Sequence, residues 1–143
     1  LKLILTIYVS LIMFSFNYSA MSAKNSYFDK GKKLFDNKKY TESKFFFEKN
    51  IVFNPKSENS YLYLAKIFKE EKKNSLEENN LNTVLLLNPK NEEAVFLLTL
   101  LSIKNSNFSK AKELIITLNL VCEKMCSSKL ELQSKLDNSL KSE

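Results

Sequence analysis

Two stretches of this chain repeat each other at a fixed distance. Val52-Phe53-Asn54-Pro55-Lys56 and Leu86-Leu87-Asn88-Pro89-Lys90 set the two prolines 34 residues apart, and Tyr40 and Phe108 lie at twice that separation. A period of this length marks a supersecondary unit that cannot bury its apolar face alone and therefore stacks on copies of itself. Proline disfavours the α-helical region for the residue before it, so Asn54 and Asn88 each end a helix. Glu58 and the pair Glu92-Glu93 follow a few residues later and place negative charge where the next helix begins.

Apolar residues within each half-period recur at helical spacing: Tyr61, Leu64, Ala65 and Phe68; Leu81 and Leu85; Leu114, Leu118 and Val121. Six helices are therefore predicted, two per repeat. Gly occurs once and Pro twice, too few for the tight turns of an all-β fold, while 44% apolar residues exclude disorder.

In the first repeat Tyr27, Gly31, Leu34, Tyr40, Phe47 and Pro55 are ordered in a recognisable way. Tyr61, Leu64, Ala65, Phe68, Leu81 and Pro89 answer them in the second, and Leu98, Phe108, Ala111 and Ile115 in the third. This order resembles the tetratricopeptide repeat: a large aromatic, then Leu-Gly, an aromatic, Ala, Phe and a closing Pro over two antiparallel helices. The departures are Lys30 for Leu, Ser43 and Glu77 for Ala, Asn74 for the aromatic, Val95 for the first aromatic and Glu123 for Pro. Asn74 and Glu77 together suggest a middle hairpin that is looser or shifted by a residue. The resemblance implies an all-α fold, a right-handed superhelix of about three helix hairpins: 24–57, 58–91 and 92–126. Residues 127–143 would add a capping helix. Ser128 and Glu131 read as its capping box, with Leu132, Leu136 and Leu140 along one stripe.

Ahead of the repeats, Leu3 to Phe16 is almost wholly apolar and is followed by the small residues Ser19, Ala20, Ser22 and Ala23. Residues 1–23 read as a secretory signal peptide cleaved between 20 and 23, and the expected location is the periplasm or outside the cell. An uncleaved membrane anchor is the other reading. Fourteen helical residues span only about 21 Å, short of the roughly 30 Å hydrocarbon core, which favours cleavage.

Cys122 and Cys126 are the only cysteines. An exported chain meets oxidising conditions, so a disulfide is expected, with a pair of half-buried thiols as the alternative. The bridge requires the helix to end between the two residues, because Cβ atoms four apart on a regular helix are badly placed for it. With no histidine and no further cysteine, neither a metal site nor a cofactor is expected. The absence of histidine, of a Gly-rich phosphate loop and of a Gly-x-Ser-x-Gly turn argues against an enzyme.

In the tetratricopeptide family the first helix of each pair lines a concave groove that receives a partner's peptide or helix. Carried over by register, that groove would present Phe28, Lys32 and Phe35; Asn59, Leu62, Lys66 and Lys69; and Phe96, Leu100 and Ile103. Such a surface suits a segment of another protein, one of the cell envelope, bearing apolar anchors and acidic residues. The run from Val95 to Ile103 is apolar nearly all round, however, which describes a buried helix equally well.

The net charge of +6 is local: residues 24–57 hold nine lysines against Asp29, Asp36, Glu42 and Glu48, whereas the later repeats are balanced. A second reading is therefore a peripheral binder of anionic membrane surfaces through Lys30, Lys32, Lys33, Lys38, Lys39, Lys44 and Lys49. All 22 basic residues are lysine. Without arginine forks, nucleic acid is not an expected partner.

Overall fold

The structure, a computed structural model, describes residues 26–141; the segment read as a signal peptide lies outside the described residues. Seven helices and no strand occur among them: α1 (26–36), α2 (Tyr40–Phe53), α3 (Glu58–Glu70), α4 (Asn74–Leu87), α5 (Glu92–Lys104), α6 (Phe108–Val121) and α7 (Ser128–Lys141). The starts of α2, α4 and α6 are spaced by 34 residues, as are those of α3 and α5. The middle hairpin is thus neither shifted nor out of register, despite Asn74 and Glu77. The described residues form two compact parts, one ending at Ser60 and one beginning at Tyr61.

In the first part α1 and α2 close on each other because Gly31 has no side chain. A Cβ there would come within 2.9 Å of the Phe47 ring. Buried Ser43, where the repeat expects Ala, is accommodated by donating its hydroxyl to the Gly31 carbonyl at 2.8 Å. Three aromatic pairs flank this crossing: Phe28 with Phe47, Phe35 with Tyr40, and Tyr27 stacked on Phe53. Buried Asn50 donates to the hydroxyls of Ser57 and Ser60 at 3.0 and 2.8 Å, fixing the start of α3 against the end of α2.

In the second part α5 packs against α4, α6 and α7, which accounts for a helix that is apolar nearly all round. Its Ala94, Val95 and Leu98 meet Leu81 and Val84 of α4, Ala111 and Leu118 of α6, and Leu132 and Leu136 of α7 in one core. Thr99, at the position of Gly31 and Ala65, and Ser102 are buried as well. Each satisfies its hydroxyl by donating four residues back, to the carbonyls of Val95 and Leu98. The closing helix has Leu132 and Leu136 fully buried, worth roughly 1.5–3 kcal/mol each. Leu140, expected on the same stripe, is exposed. The helix opens at Ser128 itself, so that residue sits inside the first turn and not ahead of it.

The turns within hairpins share one geometry. Lys38, Lys72 and Ser106, spaced by 34 residues, all adopt positive φ, at 60°, 57° and 55°. Around Lys72, for example, its N–H bonds the Lys69 carbonyl and the N–H of Lys73 bonds that of Phe68; the pattern recurs at 38–39 and 106–107. These are Schellman endings, normally built on glycine.

Candidate functional site

The ten first-helix residues divide by burial. Phe28 and Phe35 are half-buried on α1, each against an aromatic of α2, and Lys32 is exposed and paired with Asp36 at 2.7 Å. Asn59 and Lys69 are exposed, while Lys66 is half-buried, with its ammonium 2.7 Å from Glu93 and 4.7 Å from the centre of the Tyr63 ring. Phe96 and Leu100 are half-buried and pack against the core from α5.

Two residues depart from the expected groove. Leu62 is 5% exposed and Ile103 is 8% exposed, and both belong to the core cluster. For Ile103 the reason is contact on several sides: α5 touches α4, α6 and α7, so little of its circumference remains open. The basic stripe is also weaker than its lysine count suggests, because Glu93 lies against Lys66. In the second part α3 presents Lys66 and Lys69, and α5 presents the partly open Phe96 and Leu100.

Two carboxylates that the sequence marks by position take partners that position alone does not reveal. Glu77 takes the position of Ala111 on α4 and is buried. Burial pushes its carboxyl above the ordinary range, and the charges of Lys69 and Lys104 partly oppose that rise. Glu92, the first residue of α5, reaches the loop one repeat further on. Its carboxylate accepts from the Met125 N–H at 2.6 Å and from the Lys124 N–H at 3.1 Å. Those bonds, that to Met125 foremost, hold it below the ordinary range. Asn74, at the place of an aromatic, instead donates to Asn105 and accepts from Lys104, both at 3.0 Å.

Cys122 and Cys126 are joined by a disulfide with Cα atoms 5.2 Å apart. The helical geometry that would have prevented it is absent, since α6 ends at Val121 and Cys122 is extended at φ −66°, ψ 135°. Among the described residues no group of three or more His, Cys, Asp or Glu side chains is placed to hold a metal ion. Nor is any described helix long and apolar enough to cross a membrane.

No family model matches the sequence, and no curated protein matches it. Solved structures do. The tetratricopeptide-repeat domain of Arabidopsis OM64 superposes with a TM-score of 0.75 at 17% identity, covering 83% of this chain and 98% of that one. This chain has the tetratricopeptide-repeat fold. The first such domain of Spaghetti (RPAP3), bound to the HSP90 peptide SRMEEVD, gives a TM-score of 0.73 at 19% identity over 82% of this chain and 93% of that one. The Yersinia enterocolitica type III secretion chaperone SycD, in complex with a peptide of the translocator YopD, gives 0.72 at 13% identity over 83% and 94%. The helix pairs are thus tetratricopeptide-like hairpins, three of them followed by α7.

Proposed function

We propose that this chain is an exported interaction module that holds a peptide or helical segment of a cell-envelope protein, acting as an assembly factor or accessory subunit. The observation that carries the reading is that two solved structures sharing its fold are complexes with peptides of other proteins. The first helices of its hairpins supply the means. Within the second part Phe96 and Leu100 offer apolar contact, while Lys66 and Lys69 offer cationic groups. Large apolar side chains supply affinity in such sites, and lysines steer and orient an acidic segment. Export is supported by the apolar stretch Leu3 to Phe16 and by a disulfide that suits an oxidising compartment.

The test begins with affinity capture from envelope extract, followed by titration of synthetic segments of the retained protein. Phe96→Ala combined with Leu100→Ala should weaken the best segment at least tenfold, about 1.4 kcal/mol, with helicity by circular dichroism unchanged. Undiminished binding to that folded double variant refutes the assignment of the first-helix face.

A further inference from the structure

The first hairpin contains a pocket that the peptide reading does not use. It has a volume of about 470 Å3 and is lined by Lys30, Lys33, Leu34 and Asn37 of α1 and its turn, and by Lys39, Glu42 and Phe46 of α2 and its approach. This lies within the roughly 300–1,000 Å3 of small-molecule sites. It is also away from the face of α1 that carries Phe28 and Phe35, which meet Phe47 and Tyr40 instead.

Its chemistry is two-part. Leu34 and Phe46 are half-buried and give an apolar floor. Around them stand three lysines against one carboxylate, in the repeat that carries the chain's charge excess. The Lys30 ammonium sits 4.9 Å from the centre of the Phe46 ring, so cation and apolar surface adjoin directly. Lys39 is 3.9 Å from Glu42, which offsets one of the three positive charges.

We propose that this pocket binds a single-chain anionic amphiphile, a fatty-acid carboxylate, with its hydrocarbon on Leu34 and Phe46 and its carboxylate among Lys30, Lys33 and Lys39. Charge complementarity selects the anionic head, and the floor selects an apolar tail. The lining also disfavours a peptide here. A peptide brings backbone N–H and C=O groups that need partners, and beyond the lysines the lining offers them only the side chains of Asn37 and Glu42. A bilayer surface would be read by lysines spread over the hairpin and would not need a recess with an apolar floor.

Dodecanoate, below its micelle-forming concentration, is titrated into the isotope-labelled full chain, and backbone amide shifts are followed. The expected result is saturable movement centred on Lys33, Asn37, Lys39 and Glu42, with butyrate and dodecyltrimethylammonium each at least about tenfold weaker. Lys33→Glu with Lys39→Glu should abolish saturation, while Lys112→Glu on exposed α6 should leave it intact, helicity being the same in both. The proposal is overturned by equal response to the cationic amphiphile, by shifts centred outside residues 30–46, or by binding to anionic vesicles but not to monomeric dodecanoate. Saturable occupation of these same amides by an acidic peptide and not by dodecanoate overturns it too.

Discussion

The joints of this molecule are of two kinds, and they are built differently. Within each hairpin the chain turns through a positive-φ residue, and the three turns have the same geometry although their residues are Lys38, Lys72 and Ser106. Between hairpins the sequence speaks plainly twice, through Asn54-Pro55 and Asn88-Pro89. At the third such joint Cys122 takes the position of the asparagines and Glu123 that of the prolines. There the helix still ends on schedule, but a disulfide and the Glu92 carboxylate replace the proline, and α7 starts two residues later than the period requires. A repeat can thus conserve its geometry while exchanging the chemistry that imposes it, provided the replacement also satisfies the freed backbone groups.

The severest test of the third joint removes what it delivers. Leu136→Ala in α7 should cost about 2–5 kcal/mol in urea unfolding, since it empties a fully buried site. A loss below about 1 kcal/mol would mean that the joint leads to a helix that is not part of the core. Next, converting Cys122 and Cys126 to serine should cost roughly 2 kcal/mol by the loop-entropy estimate. Hydrogen exchange should rise in α7 and remain unchanged in α4. Equal acceleration in both would erase the distinction between a locally stapled joint and a global one.

Glu92 sharpens the comparison through pH. Its carboxylate titrates lower in the folded chain than the ordinary 4.5. Its contribution is therefore fully present above that value and is lost as pH falls through the depressed one. Glu92→Gln should flatten this acid-side decline in Tm, read from about pH 6 down to pH 3. Glu77 carries the opposite sign: its raised value means that stability falls as pH climbs from 4.5 through the folded value. Glu77→Ala should accordingly raise Tm at neutral pH.

The smallest effect concerns the other kind of joint. Lys72→Gly should stabilise by about 0.5–1 kcal/mol, because glycine accepts positive φ without the steric cost a Cβ imposes. Lys72→Val should destabilise. Were Lys72→Gly to destabilise instead, the turn would owe its geometry to the lysine and not merely tolerate it.

Much of the fold was legible because it is periodic and local. Helix number and approximate helix bounds follow from spacing and from the steric rule of proline, and the need for a break near Cys122 follows from disulfide geometry. The candidate face was legible in part. Register puts Leu62 and Ile103 in the same helices as Asn59 and Phe96, yet both belong to the core. Position along a helix sets direction, whereas exposure depends on how many neighbours arrive. Asn74 and Glu77 misled for a related reason. They break the residue pattern without breaking the helix, since polar side chains are tolerated there when Lys69, Lys104 and Asn105 lie opposite.

The sequence alone determined the repeat length, the helical class and where the second helix of each of the first two hairpins stops, because these rest on contacts within a few residues or on a recurring pattern. The tertiary structure alone decided the reach of Glu92 to the Lys124 and Met125 amides and the burial of Ile103. Each depends on groups that packing brings together, and neither helix propensity nor period encodes that meeting.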